Sequence, residues 1–123
     1  KMETRVIEKN GHSIAVINSG EPILTSVQDA LDLMATVEYE TGCERMALEK
    51  SALAEDFFIL STRLAGDILQ KFVNYRKKIA IFGDFSRYTS KPLRDFIYES
   101  NSGNDVFFVS TEQEAVERLA NAK

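Results

Sequence analysis

Short apolar runs alternate with stretches of helical periodicity along this chain, and that alternation restricts its fold more than any other feature. Val6-Ile7, His12 to Ile17, Arg45 to Leu48, Ile79 to Phe82 and Val106 to Val109 read as strands, with amphipathic segments separating the last four. A strand–helix–strand unit with short links closes by a right-handed crossover, which lays its strands parallel. The first link is different. Asn10-Gly11 tolerates the positive φ values of a two-residue type I′ turn, so the first two strands form an antiparallel hairpin. The expected fold is α/β, a single domain of order ββαβαβαβα. Its mostly parallel five-stranded sheet carries an antiparallel N-terminal edge strand.

Helix boundaries follow from capping chemistry. Thr25 with Gln28 forms a capping-box pattern, so the first helix is expected from Thr25 or Ser26, burying Val27, Ala30, Leu31, Met34 and Val37. The second is expected from Ser61-Thr62 to about Tyr75, with Leu64, Ala65, Ile68, Leu69, Phe72 and Val73 on its apolar face. A third starts near Ser90, accepts Pro92 in its first turn, points Leu93, Phe96 and Ile97 inward, and ends at Gly103. The segment from Ser110 to Glu114 caps a last helix that buries Ala115, Val116, Leu119 and Ala120. The unbroken run Ile79-Ala80-Ile81-Phe82 implies a strand covered on both faces.

Composition narrows the function classes. The chain of 123 residues fits one domain, taken as 2–123 with Lys1 left aside. It has no apolar stretch near the roughly 18 residues of a membrane span and no apolar signal core, so a cytoplasmic location away from membranes is expected. Cys43 is the single cysteine, read as a packing residue or, less simply, a reactive thiol. With one His and one Cys, a zinc site built on these ligands is not expected. Neither a phosphate-binding GxxxxGK[ST] loop nor a GxGxxG fingerprint occurs, and no cofactor is expected. His12 has no serine or carboxylate tied to it by motif.

Net charge is −4, which argues against general nucleic-acid binding. The charge is uneven. Residues 71–94 hold seven basic side chains against Asp84 alone, a local +6 that leaves −10 elsewhere. Either a solvated face or a partner or anion site explains such a run.

In open parallel sheets, ligands and partners meet the loops beyond the carboxyl ends of the strands. Three loops qualify here: 20–25, 51–62 and 83–91. Ser61 and Thr62, at the expected head of the second helix, are N-caps or, alternatively, phosphoacceptor and partner-contact residues favoured by free N–H groups. Asp56, Gly83, Asp84 and Ser86 are candidate ligand or partner positions; Asp84 serves a turn equally well. Phe57 and Phe58 read as a floor under the second crossover.

Asp29-Ala30-Leu31-Asp32-Leu33, Tyr39-Glu40-Thr41-Gly42-Cys43 and Glu55-Asp56-Phe57-Phe58 resemble an uncharacterised bacterial family, one of the domain-of-unknown-function groups. Leu64-Ala65-Gly66, Ile68 to Tyr75, Gly83-Asp84-Phe85-Ser86, Asp95 to Glu99 and Phe107-Phe108-Val109 extend the likeness along almost the whole chain. Members of that family often carry Gly where this chain has Arg63. The element order is also similar to the STAS fold of anti-sigma-factor antagonists, the SpoIIAA-like type. That resemblance implies a phosphorylated serine between the third strand and second helix, where Phe58 to Leu64 lie here; Leu60 stands where an acid is expected.

The favoured expectation is a regulatory, protein-binding module with a protein partner. The alternative is a small-molecule binder or enzyme in which Asp56, Asp84 and nearby hydroxyls converge in an enclosed pocket with perturbed carboxylates. A third is self-association through exposed aromatic helix faces bearing Tyr75, Tyr88 or Tyr98.

Overall fold

A computed structural model describes residues 2–123. The strands are β1 (Met2–Lys9), β2 (His12–Ser19), β3 (Arg45–Glu49), β4 (Lys78–Phe82) and β5 (Val106–Val109), and the α-helices are α1 (Val27–Thr41), α2 (Leu64–Asn74), α3 (Lys91–Asn101) and α4 (Glu112–Asn121). They form one five-stranded sheet in the order β1-β2-β3-β4-β5, in which only the β1–β2 pair is antiparallel. The hairpin turns on Asn10 (φ 54°) and Gly11 (φ 78°), the conformations a type I′ turn requires.

The consecutive strand order decides where the helices lie. Every crossover from β2 to β5 steps in the same direction, so right-handedness puts α1, α2 and α3 on one face. Their core joins Ile17, Leu33, Met34, Met46, Phe57, Ile68, Phe72, Ile79, Ile81 and Phe108. The other face would be bare without α4. That helix supplies Ala115, Val116, Leu119 and Ala120 against Ile14, Val16, Ala47, Ala80, Phe82 and Phe107. β4 is therefore covered on both sides, alternating its residues between the two cores.

One helix start moves from its expected place, and one capping pair changes partners. In α1 the N-cap is Ser26, whose hydroxyl accepts from Asp29 N–H at 3.1 Å, and Thr25 instead donates to the Asp29 carboxylate. Asp29 does the work expected of Gln28, which turns outward to Asp32. α2 begins at Leu64 rather than Ser61, because Arg63 sits in the left-handed region at φ 66° and breaks the helix from the turn before it. Glycine would adopt that conformation without a Cβ penalty, whereas Arg63 pays one. α3 ends at Asn101 with Ser102 as its C-cap, which puts Gly103 just past the cap, where it was expected to end the helix.

The expected buried faces are also adjusted. Leu33 belongs to the α1 core, Val27 and Leu31 are only partly buried, and Val73 of α2 is exposed. Ser90 caps α3 and Thr111 with Glu114 forms a reciprocal capping box on α4, as their sequences predict. Cys43 is buried at the head of β3, in the packing role.

Candidate functional site

Where β3 and β4 end, the chain does not enter a helix directly. After β3 it makes three short 3-10 turns, Lys50–Ala52, Glu55–Phe58 and Leu60–Thr62, before α2 starts. The segment is fastened at its middle: Leu24 bridges Leu53, and the N–H groups of Ile23 and Leu24 donate to Ala52 O at 2.7 and 3.0 Å. The buried Phe57 and Phe58 anchor its far end to the core. The Gly83 loop follows β4 beside it, and the two segments meet.

Their meeting point is an aromatic cluster. Tyr88 stacks on Phe58 with ring centroids 4.9 Å apart, and Phe85 tilts against both rings and touches Phe108 edge-on. The Lys50 ammonium lies 4.7 Å from the Tyr88 ring centroid, 5.8 Å from Phe58 and 6.0 Å from Phe85. No ion pair or hydrogen bond engages that ammonium among the described residues, so attraction to the aromatic faces is its main contact. Gly83 makes the arrangement possible, since a Cβ there would stand 2.7 Å from Lys50 Cβ.

Charged groups border the cluster. Arg87 donates to the Glu55 carboxylate at 2.7 Å, and the Tyr88 hydroxyl donates to the same oxygen at 3.0 Å. Asp84 accepts from Ser86 N–H at 2.9 Å and closes its own loop. The Ser86 hydroxyl and then its N–H, helped by Lys50 and Arg87, hold the Asp84 carboxyl below the usual aspartate range. It is an ionised turn residue at neutral pH.

Two open grooves flank the cluster. One, of about 510 Å³, runs along Pro22, Glu49, Lys50, Glu55, Phe58 and Gly83; the other, of about 460 Å³, along Glu55, Ser61, Arg87, Tyr88, Ser90 and Pro92.

The sequence candidates separate here. Gly83, Asp84 and Ser86 lie in the loop that carries the cluster, and the exposed Ser61 lines the second groove. Thr62 is occupied in the backbone: its one hydroxyl proton is shared between Asp56 O and Ile59 O, and its oxygen accepts from Leu64 N–H, tying the last 3-10 turn to α2. Asp56 contributes that backbone oxygen, while the carboxylate joined to the Gly83 loop is Glu55. Lys50 and Phe85 complete the site without having stood out as candidates, and Arg87 stood out only as one member of the basic run. The one signal for Lys50 was its position, immediately after the last residue of β3.

Chemically the arrangement offers the partly exposed rings of Phe85 and Tyr88 over a buried Phe58, one ammonium without an ion-pair partner among the described residues, and the exposed Ser61. Among the described residues, no group of three or more His, Cys, Asp or Glu side chains could hold a metal ion. The basic run also resolves into pairs: Lys77 with Glu38, Lys78 with Asp105, Arg87 with Glu55 and Lys91 with Asp95. Much of its charge is neutralised locally rather than gathered into one patch.

Residues 9–119 match a family described as a domain of unknown function, DUF4180. The chain belongs to that family. In this DUF4180 protein the matched span includes β2 to β5, α1 to α3, α4 as far as Leu119 and every residue of the aromatic cluster. Neither the comparison with curated proteins nor that with solved structures returns a match. No described helix is long and apolar enough to cross a membrane.

Proposed function

We propose that this DUF4180 chain is a regulatory protein-interaction module of STAS type, and that its partner docks on the edge formed by residues 50–62 and 83–90. The observation that carries the reading is the Lys50–Phe58–Phe85–Tyr88 cluster between two open grooves. Interfaces draw most of their energy from aromatic anchors ringed by polar groups, and such a cluster provides both. The element order and the exposed Ser61 ahead of α2 support the kinship with STAS modules. A phosphate on Ser61 would line the same groove as Arg87, whose guanidinium could leave Glu55 to bind it. The enzyme reading has less behind it. Asp84 is held ionised by its own turn, Glu55 is paired with Arg87, and the grooves are open rather than enclosed.

Affinity capture from the source cell's lysate with the wild type, Tyr88→Ala and Ser61→Glu tests this. A partner retained by the wild type should be weakened roughly 30-fold by Tyr88→Ala, as for a hot-spot residue. Ser61→Glu should change the captured set, and circular dichroism should show both variants folded. Identical sets from all three proteins would sink the proposal.

A further inference from the structure

We propose that this chain pairs with a second copy of itself through β1, continuing the sheet across a two-fold axis. The two edges of the sheet are treated differently. At the outer edge of β5, the Asn101 side chain donates to Phe108 O at 3.0 Å and accepts from Phe108 N–H at 2.7 Å. An amide side chain thus stands where a neighbouring strand would, and blocks that edge. β1 is twice as long, eight residues against four, and has no equivalent cover. Among the described residues, no loop or side chain bonds to its backbone. A long uncovered edge is a template for strand pairing.

The hairpin fixes which groups are free. A two-residue turn makes Lys9 and His12 the closing hydrogen-bonded pair, so the odd-numbered residues of β1 turn their backbone groups toward β2. The N–H and C=O groups of Met2, Thr4, Val6 and Glu8 are left pointing outward. An antiparallel strand can take them all.

The side chains select a second copy as that strand. Val6 is 46% exposed at the middle of β1, an apolar residue with no cover. A two-fold axis at Val6 sets the two Val6 side chains together and pairs Thr4 with Glu8 of the other copy. The same register puts Glu3 opposite Lys9 of the other copy, once on each side of the axis. Glu3 and Lys9 are exposed and have no ion-pair partner among the described residues, whereas Arg5 between them is taken by Glu112 at 2.8 Å. Charge complementarity and the apolar centre therefore agree on one register.

Sedimentation velocity across a micromolar-to-millimolar series should show a monomer–dimer equilibrium. Thr4→Pro should abolish the dimer while leaving the hairpin intact, because the N–H it removes points away from β2. Glu3→Lys or Lys9→Glu alone should weaken dimerisation about tenfold, since each reverses two cross-strand pairs, and the double swap should restore it. If Thr4→Pro does not fold, the charge series decides alone. A monomer at every concentration, even where another protein's strand binds β1, overturns the proposal. So does a dimer that Thr4→Pro leaves unchanged, or a double swap that fails to rescue.

Discussion

Arg63 holds the strained backbone position that separates the last 3-10 turn from α2. Non-glycine residues pay a steric penalty there, of about 1 kcal/mol or more. Arg63→Gly is expected to stabilise the protein by about 0.5–1 kcal/mol after the added chain entropy of glycine, read from urea unfolding at constant m. A neutral or destabilising result would mean that the exposed Arg63 side chain makes a compensating contribution. The expectation that Ser61 or Thr62 caps α2 failed on this one residue. Capping preferences describe which side chains suit a helix start, yet the cap itself moved past both hydroxyls to Arg63 once that residue took a left-handed φ. Lys50 was illegible for a different reason. Its environment is built from Phe58, Phe85 and Tyr88, residues eight or more positions away that only the fold brings to it.

At the scale of elements, the start of α1 carries a pH-dependent contribution. The Thr25 hydroxyl donates to the Asp29 carboxylate at 2.6 Å and the Thr25 N–H at 2.9 Å. These bonds favour the ionised form and hold Asp29 below the ordinary aspartate range, with the Thr25 hydroxyl the largest cause. A carboxylate lowered on folding binds its proton more readily in the unfolded chain. Its contribution is therefore full above about pH 5 and is lost as pH falls through the folded value. Asp29→Asn should lower stability at neutral pH and flatten the acid limb below about pH 5, seen in thermal melts across a descending pH series. An unchanged acid limb would show that the Asp29–Thr25 bonds contribute nothing to folding. The strands and the α4 cap were legible in the sequence because they rest on alternation and on a local four-residue pattern. The run of 3-10 turns from Lys50 to Thr62 was not, because three short turns present no period; their path is set by the Leu24–Leu53 bridge and by the burial of Phe57.

For the whole molecule, the sheet separates two cores that share its strands. Ile68 is wholly buried under α2 in one, and Leu119 is wholly buried on α4 in the other. Ile68→Ala and Leu119→Ala are each expected to cost about 2–5 kcal/mol by removing packed methyl groups. Because the sites lie on opposite faces, their effects should add within about 0.5 kcal/mol, and unfolding should stay a single transition by circular dichroism and tyrosine fluorescence. Two separate transitions would show that the faces fold as independent units. The pattern along the chain determined the hairpin, the order of strands and helices and the parallel sheet. Those follow from alternation, from the Asn10-Gly11 turn and from crossover handedness, all of which act over short stretches of chain. Only the tertiary structure decided the order of strands across the sheet, and with it the common face of α1, α2 and α3 and the opposite face taken by α4. It likewise decided that Glu55 rather than Asp56 meets the Gly83 loop, and that Lys50 rests on three rings. Contacts between residues distant in sequence depend on how packed elements bring them together, and local periodicity carries no record of that.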